Sequence, residues 1–306
     1  MLGEQAGRTE EFSAEVGPGE GPGATLPNAP AHELPRTPVV SNDARGGLSF
    51  GDLRDFWSRR ELLYFLTWRD IKVRYKQTVM GASWAVLQPL VMMLIFAVFF
   101  GLLGVPTEGL PYLLFFYSGL LPWTFFSNAV GQSSASLVSN SNLITKVYFP
   151  RLLIPAATIG AGLVDLGVAS VILVGLMLYY GLTPGWNLLM LPVLVGLTVL
   201  LAFAVGTWLA ALMVKYRDVR HVLPFALQVW FFVTPIIYPA SIVPEGWRWV
   251  LYINPLAGVA EGMRGAVSGR GFNWGPLAFS AAMTLVLFAL SIRAFNRLEK
   301  SFADLI

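Results

Sequence analysis

The hydrophobic positions of this chain are concentrated in long stretches that few charged residues interrupt. Residues 77–107 and 109–145 contain no charged residue, and residues 152–214 contain a single one, Asp165. A helix needs about 20 apolar residues to cross the hydrocarbon core of a bilayer. The pattern therefore predicts six transmembrane helices, at 83–103, 112–137, 152–180, 186–214, 222–238 and 276–295.

The segment 239–275 between the last two predicted spans has a different pattern. Its apolar core is short, is broken by Asn254, Pro255 and Gly258, and is followed by Glu261 and Arg264. Such a segment is more typical of a re-entrant or interfacial helix than of a spanning helix. The predicted fold is thus an all-α integral membrane protein with six spans and a re-entrant segment.

Residues 58–76 mix charged and large apolar residues and predict an amphipathic helix. Tyr64, Trp68, Ile71 and Tyr75 recur at helical spacing, and the basic residues Arg69, Lys72 and Lys76 lie on another side. This pattern indicates a helix in the headgroup region with its basic side toward anionic lipid. The alternative is a cytoplasmic helix that packs on neighbouring protein.

Positive charge alternates between the connections. Fifteen Lys and Arg residues lie in residues 52–76 before the first span, in the second and fourth connections and after the last span, whereas the other connections contain three. Because loops rich in Lys and Arg stay in the cytoplasm, both termini are predicted to be cytoplasmic. A spanning segment at 239–275 would place the C-terminal basic residues outside, which favours the re-entrant interpretation.

Composition excludes a soluble protein and most enzyme classes. The 306 residues are 55% hydrophobic and 13% charged, with a mean hydropathy of +0.62, against about 25% charge in soluble domains. The absence of Cys and the presence of only two His leave little material for metal sites or nucleophilic triads. No nucleotide-binding loop, HExxH or GxSxG motif occurs, so we expect no enzymatic activity and no ATP site on this chain.

Residues 1–45, rich in Gly and Pro, predict a disordered cytoplasmic tail without a secretory signal.

Two further features of the sequence suggest function. Asp165 lies 14 residues past Arg151, or about 21 Å along a helix, which places a carboxylate beyond the middle of the bilayer. Such a group is either a functional site or a protonated or hydrogen-bonded residue between helices. The short polar connection from Asn140 to Arg151 is flanked by long spans. Such a connection is suited to transmit a conformational change from a partner ATPase to those spans; the alternative is an ordinary loop. In the third span Ala156, Gly160, Gly162 and Gly167 permit close helix approach.

Five separate segments resemble the permeases of type-two ATP-binding-cassette exporters, in the polysaccharide-export branch. These are LTWRDIKVRYKQTVMGASWAVLQPL (66–90), TKVYFPRLLIP (145–155), LMLYYGLTP (176–184), KYRDVRHVLPFALQVWFFVTPIIYP (215–239) and INPLAGVAEGMRGAVSG (253–269). The resemblance extends from about residue 55 to the C-terminus, so residues 46–306 are expected to form the permease domain.

The resemblance implies a homodimer in a bacterial inner membrane, docked on two copies of a cytoplasmic ATPase that binds ATP and Mg. It implies export of a lipid-linked polysaccharide such as the O-antigen of lipopolysaccharide or a teichoic acid. Export of a drug or lipid by the same broad family, a lipid-linked glycosyltransferase and a channel without an ATPase are the alternatives. No cofactor or metal is expected on this chain itself.

The resemblance also assigns roles to residues. The connection after the second span resembles the coupling helix that inserts in a groove of the ATPase, and the predicted coupling residues are Asn140, Ser141, Asn142, Leu143, Lys146, Tyr148 and Arg151. The amphipathic helix resembles a gate beside the substrate entrance, and the predicted gate residues are Tyr64, Trp68, Arg69, Lys72, Arg74 and Lys76.

A glycan path through the dimer is expected to offer aromatic faces and weak hydrogen bonds rather than one deep site. The candidate path residues are Trp84, Tyr112, Phe115, Phe116, Trp123, Phe126, Trp230 and Phe231, of which a third or fewer are expected to line the path.

Overall fold

The computed structural model describes residues 58–76, 81–146, 149–182 and 185–299, with the backbone alone given for 81–85 and 145–146. These residues form α-helices and short 3-10 helices, and no β-strand occurs among them. All of them belong to one unit, residues 44–306. The predicted all-α class is therefore confirmed, whereas the predicted tail at 1–45 lies outside the described residues.

Ten α-helices lie within the described ranges. They are α1 (Arg60–Lys76), α2 (Gly81–Leu102), α3 (Tyr112–Ser139), α4 (Ser141–Lys146), α5 (Leu153–Tyr179), α6 (Leu191–Lys215), α7 (Val219–Val233), α8 (Arg248–Ile253), α9 (Pro255–Ser268) and α10 (Trp274–Glu299). Short 3-10 helices lie at Trp186–Met190, Ala240–Ile242 and Glu245–Trp247.

Four helical segments among the described residues are long and apolar enough to cross a membrane. They are α3, α5, α10 and α6 together with the 3-10 turn before it, and their bounds lie within four residues of the predicted ones. The described apolar parts of α2 (Val86–Leu102) and of α7 are shorter. The full set of six spans therefore stays a prediction.

Helix α7 ends at Val233, five residues before the predicted end of the fifth span. The reason is Pro235, because a residue before proline is disfavoured in the helical region. Thr234 accordingly adopts φ −84° and ψ 134°, which is extended backbone. The helix therefore ends before the predicted span 222–238 does.

Helices α8 and α9 occupy the predicted re-entrant segment. The Asn254 side chain accepts a hydrogen bond from the Leu256 amide, Pro255 opens α9, and Gly269 at φ 69° ends it. The 14 residues of α9 extend about 21 Å, which is less than the hydrocarbon thickness of about 30 Å. This length agrees with a re-entrant helix, whose position in a membrane stays a prediction.

Helix α3 forms the centre of the bundle and packs against α2, α5, α6, α7 and α9. Its contact with α6 is close, because a Cβ at Gly206 would lie 2.0 Å from the Ser133 hydroxyl. A separate apolar cluster, here called the end cluster, lies where α3, α6 and α10 end and α5 begins. It consists of Leu66, Leu137, Phe149, Leu153, Ile154, Ala157, Ala210, Ala211 and Phe295.

Candidate functional site

One face of α1 packs against α5. Leu66, which is 4% exposed, contributes to the end cluster. At the next residue of α1, the Thr67 hydroxyl would lie only 3.2 Å from a Cβ at Gly160 of α5. Asp70 accepts a hydrogen bond from Thr158 of α5 at 3.4 Å. The predicted close approach at Gly160 is thus made with α1, whereas a Cβ at Gly167 would meet no atom within 4 Å.

The C-terminal turn of α1 is held by polar side chains of two other helices. Arg74 forms an ion pair with Asp165 of α5 and a hydrogen bond with Gln132 of α3. The Tyr75 hydroxyl donates to the same Asp165 carboxylate. Burial, followed by that hydrogen bond, raises the pKa of Tyr75 to about 12, so the hydroxyl keeps its proton at neutral pH.

This arrangement agrees with the second interpretation of Asp165. The carboxylate is a paired and hydrogen-bonded residue between helices, with Arg74 as the cation that sequence reasoning did not assign to it. Arg74 itself lies on the packed side of α1, apart from the other predicted gate residues. The signal that could have linked the pair is charge: Asp165 is the single charge of residues 152–214 and needs a nearby cation.

The other face of α1 forms an open groove of 340 Å³, here called the α1 groove. Its described lining residues are Phe65, Trp68, Arg69, Lys72, Val73 and Lys76. The Lys72 amine lies 5.5 Å from the centroid of the Trp68 ring. Basic and aromatic side chains on one surface suit a ligand that combines an anionic group with an apolar or sugar surface.

Four of the predicted gate residues therefore share the α1 groove, and Tyr64 lies exposed outside its lining. Phe65 and Val73 also line it and were not predicted. Phe65 lies three residues before Trp68 and Val73 four residues after Arg69, spacings that place them on the same helical side, so helical periodicity could have identified them.

The predicted coupling residues lie beside the end cluster. Leu143 and Ile144 of α4 pack partly buried against it, and Asn142 is exposed. The Asn140 side chain donates to the Ser136 carbonyl at 2.8 Å and accepts from Arg69 at 3.1 Å. Helix α4 is thus attached both to the end of α3 and to α1.

Arg151 connects this region to α10. Its guanidinium donates to the Glu299 carbonyl at 2.8 Å and lies 3.9 Å from the Glu299 carboxylate, at the end of α10. Ser141 is half-buried. The predicted coupling residue Tyr148 and the side chain of Lys146 lie outside the described part of the chain.

Most of the predicted path aromatics are interior residues of this chain. Phe115, Phe116 and Phe126 have no exposed surface, and Trp123 and Phe231 are each 8% exposed. Trp123 packs on both Phe126 and Phe231, with ring centroids 5.9 and 5.4 Å apart. These rings hold α3 and α7 together and present no open face to a substrate in this arrangement.

The remaining predicted path aromatics differ in environment. Tyr112 is half-buried, stacks on Phe116 and donates to the Val105 carbonyl. Trp230 is also half-buried and donates through its ring nitrogen to Asn254 at 2.9 Å. The side chain of Trp84 lies outside the described part of the chain.

Polar bonds tie the end of α7 to α9. Asn254 donates to the Thr234 hydroxyl at 2.7 Å, and Arg264 donates to the Ile236 carbonyl at 2.6 Å. The Arg264 guanidinium, 5% exposed, also lies 3.8 Å from the centre of the Phe115 ring. A cation over an aromatic face in a dry site is stabilising. Sequence reasoning did not single out Arg264 as a link between helices.

Among the residues that the structure describes, no group of three His, Cys, Asp or Glu side chains could hold a metal ion. Recognition at the α1 groove and coupling at α4 stay predictions.

Comparison with known proteins places this chain among transporters. Residues 61–267 match the family described as "ABC-2 type transporter". The O-antigen export system permease protein RfbA of Myxococcus xanthus is 30% identical over 256 residues, which cover 82% of this chain and 98% of that protein. The protein of the same name from Klebsiella pneumoniae is 30% identical over 252 residues, covering 80% and 95%.

A more distant relative has a different printed name. The polysialic acid transport protein KpsM of Escherichia coli is 27% identical over 246 residues, which cover 76% of this chain and 92% of that protein. The resemblance drawn from the quoted sequence segments is confirmed by these matches.

Proposed function

Because this chain belongs to the ABC-2 type transporter family, we propose that it is the membrane-spanning subunit of an ATP-driven exporter of a lipid-linked polysaccharide. The observation that carries the proposal is the near-complete coverage of relatives named for O-antigen export and polysialic acid transport. An O-antigen, a teichoic acid or a related envelope glycan is the proposed cargo. The membrane is the inner membrane of a bacterium.

The proposed topology has six spans, both termini in the cytoplasm and a re-entrant α8–α9 segment near the outer surface. The alternation of basic connections supports this orientation. It places the end cluster, α4 and the start of α1 on the cytoplasmic side, and the last turn of α1 beside Asp165 in the third span. The α1 groove and α4 then face the compartment that supplies both the substrate and ATP.

The proposed assembly contains two copies of this chain and two copies of a cytoplasmic ATPase. Hydrolysis belongs to the partner, which holds ATP and Mg, and this chain performs no catalytic step. Helix α4 and its flanking residues contact the partner, with Asn142 on its exposed side. The exposed apolar side chains of α2 and α7, such as Phe99, Phe225 and Phe232, support burial against lipid or a second copy.

The α1 groove is the proposed entry site of the substrate. Lys72, Lys76 and Arg69 supply positive charge for a phosphate-containing headgroup, and Trp68 and Phe65 supply surface for the lipid or the first sugars. Since the path aromatics of α3 are mostly interior in one chain, the glycan path is proposed to form between two copies.

Export of a drug or lipid is the second candidate function, since a basic and apolar groove also fits an anionic lipid. The discriminating experiment purifies the complex from its native host and analyses bound lipids by mass spectrometry. A co-purifying ATPase together with a polyprenyl-linked glycan supports the proposal. An ATPase with only drugs or phospholipids bound, in a strain whose envelope glycan is unchanged by deletion of this gene, contradicts it.

A further inference from the structure

Arg69 belongs both to the α1 groove and to the hydrogen-bond network at the start of α4. Its side chain lines the groove, and its Nη2 donates to Asn140 at 3.1 Å. Asn140 is the residue at which α3 ends, and α4 begins at the next position. One guanidinium therefore connects the open face of α1 to the junction of α3 and α4.

The orientation of this guanidinium is fixed by its neighbour. Nε and Nη2 of Arg69 donate to one oxygen of Asp70 at 3.0 and 2.8 Å, and the other oxygen of Asp70 accepts from Thr158 of α5. Nη1 has no hydrogen-bond partner among the residues that the structure describes, and the side chain is 34% exposed. Arg69 is thus held toward Asn140 while it keeps donors for a ligand in the groove.

An anion in the groove would compete with Asn140 for Arg69. A hydrogen bond from a guanidinium to a charged phosphate is about twice as strong as one to a neutral amide oxygen. A bound phosphate would therefore draw Arg69 away from Asn140 and release the side-chain link between α1 and α4. By thermodynamic linkage, the factor by which a bound phosphate favours the released state of α4 equals the factor by which release of α4 raises the affinity of the groove for phosphate.

We propose that Arg69 is the positioning residue through which a phosphate-bearing headgroup in the α1 groove controls α4, so that occupancy of the groove regulates ATP hydrolysis by the partner. This inference rests on the proposed function, because it requires a partner ATPase docked at α4. It goes beyond that function by assigning a substrate sensor to the Arg69–Asn140 hydrogen bond.

The test uses the whole complex in nanodiscs of zwitterionic lipid. The probe is a polyprenyl diphosphate without a glycan, and phosphatidylglycerol is added in a parallel series as the bulk-lipid source of the same anionic chemistry. Probe binding and the ratio of stimulated to basal ATP hydrolysis are measured separately. The variants are Asn140→Ala, Asn140→Asp and Lys72→Ala.

The two Asn140 variants change the acceptor for Arg69 in opposite ways. Asn140→Ala removes it, so basal hydrolysis should rise and the ratio of stimulated to basal hydrolysis should fall by about fivefold or more, while the probe binds at least as tightly as to the wild type because no acceptor competes for Arg69. Asn140→Asp gives Arg69 a charged acceptor, over which a phosphate has no such advantage, so stimulation should also fall but basal hydrolysis should not rise. Lys72→Ala should weaken probe binding and leave stimulation by saturating probe at the wild-type level.

Three results would overturn the inference. They are a wild-type ratio of stimulated to basal hydrolysis in Asn140→Ala, equal basal hydrolysis in Asn140→Ala and Asn140→Asp, and binding of the probe to the wild type without any change in hydrolysis. Stimulation by phosphatidylglycerol equal to that by the probe would keep the sensor but assign it to bulk lipid. A wild-type complex that binds neither anion, or that contains no ATPase, would instead contradict the proposed function.

Discussion

The guanidinium of Arg74 on α1 forms an ion pair with the carboxylate of Asp165, which lies twelve residues after the start of α5. Each side chain is about one-quarter exposed, at 23% and 25%. Because Asp165 is the single charge of the apolar stretch 152–214, its partner must come from another helix. The pair therefore fixes α1 alongside α5 and turns the α1 groove away from it.

Removal of the cation should destabilise the protein more than removal of the charge on the carboxylate. Arg74→Ala leaves an ionised Asp165 without its partner and should cost about 2 kcal/mol, reduced from the value for fully buried pairs by the remaining exposure. Asp165→Asn keeps a group that accepts from Tyr75 and should cost less. Thermal unfolding of the purified protein in detergent measures both.

Charge exchange provides the control for this pair. The double variant with Arg74→Asp and Asp165→Arg should recover part of the stability that either single reversal loses, since the opposite charges are kept. Lys72→Ala, on the groove side of α1, should leave the unfolding midpoint unchanged. Additive losses in the double variant would show that the ion pair does not hold α1.

Close packing between α9 and α10 should make Gly258 intolerant of a side chain. A Cβ there would lie 2.6 Å from the Pro276 carbonyl and 2.3 Å from the Ser280 hydroxyl. Because a backbone carbonyl cannot rotate away, Gly258→Ala should separate the helices and cost about 2 kcal/mol or more. The measurement is the yield of folded protein by gel filtration together with its unfolding midpoint.

Gly196→Ala is the matched control, since a Cβ at Gly196 would meet no atom within 4 Å. Alanine in a helix interior is favoured over glycine by up to about 1 kcal/mol, so this variant should be neutral or more stable. Equal behaviour of the two variants would contradict the contact between α9 and α10.

Sequence reasoning located the long helices well because charge spacing and span length are local signals. The bounds of α3 and α5 were predicted within two residues. The predicted span extends past the end of α7, because the prediction followed the apolar pattern and did not consider that Pro235 disfavours a helical conformation at the residue before it. The partners of Asp165 and the role of Arg264 depend on which helices pack together, and apolar periodicity contains no such information.

The same distinction explains the path aromatics. Composition identifies Phe115 and Phe116 as large apolar residues on a predicted span, but it does not state which side of the helix faces the interior. The structure buries both: Phe116 packs on Phe96 and Phe100 of α2, and Phe115 lies against the Arg264 guanidinium of α9. A helix that is apolar on every side gives no periodic signal to separate core from path.

The capping residue Asn254 should stabilise the α8–α9 segment through three hydrogen bonds. It accepts from the Leu256 amide and from Trp230, and donates to Thr234. Asn254→Ala loses all three and should cost about 1–2 kcal/mol, the usual range for an N-cap. Asn254→Asp keeps both acceptor bonds and should retain most of that stability, whereas equal losses would show that the donor bond to Thr234 dominates.

The membrane orientation can be tested cleanly because the chain contains no Cys. Asn273→Cys lies on an exposed position between α9 and α10, and Asn142→Cys lies on the exposed side of α4. If the re-entrant segment returns to the outer surface and α4 is cytoplasmic, a membrane-impermeant maleimide applied to intact spheroplasts should label the first and spare the second. Lysed spheroplasts that express this chain without the partner ATPase, in which both positions should react, control for accessibility. Protection of Asn273→Cys in intact spheroplasts with labelling after lysis would place that connection in the cytoplasm, and the segment 239–275 would then have to span the membrane.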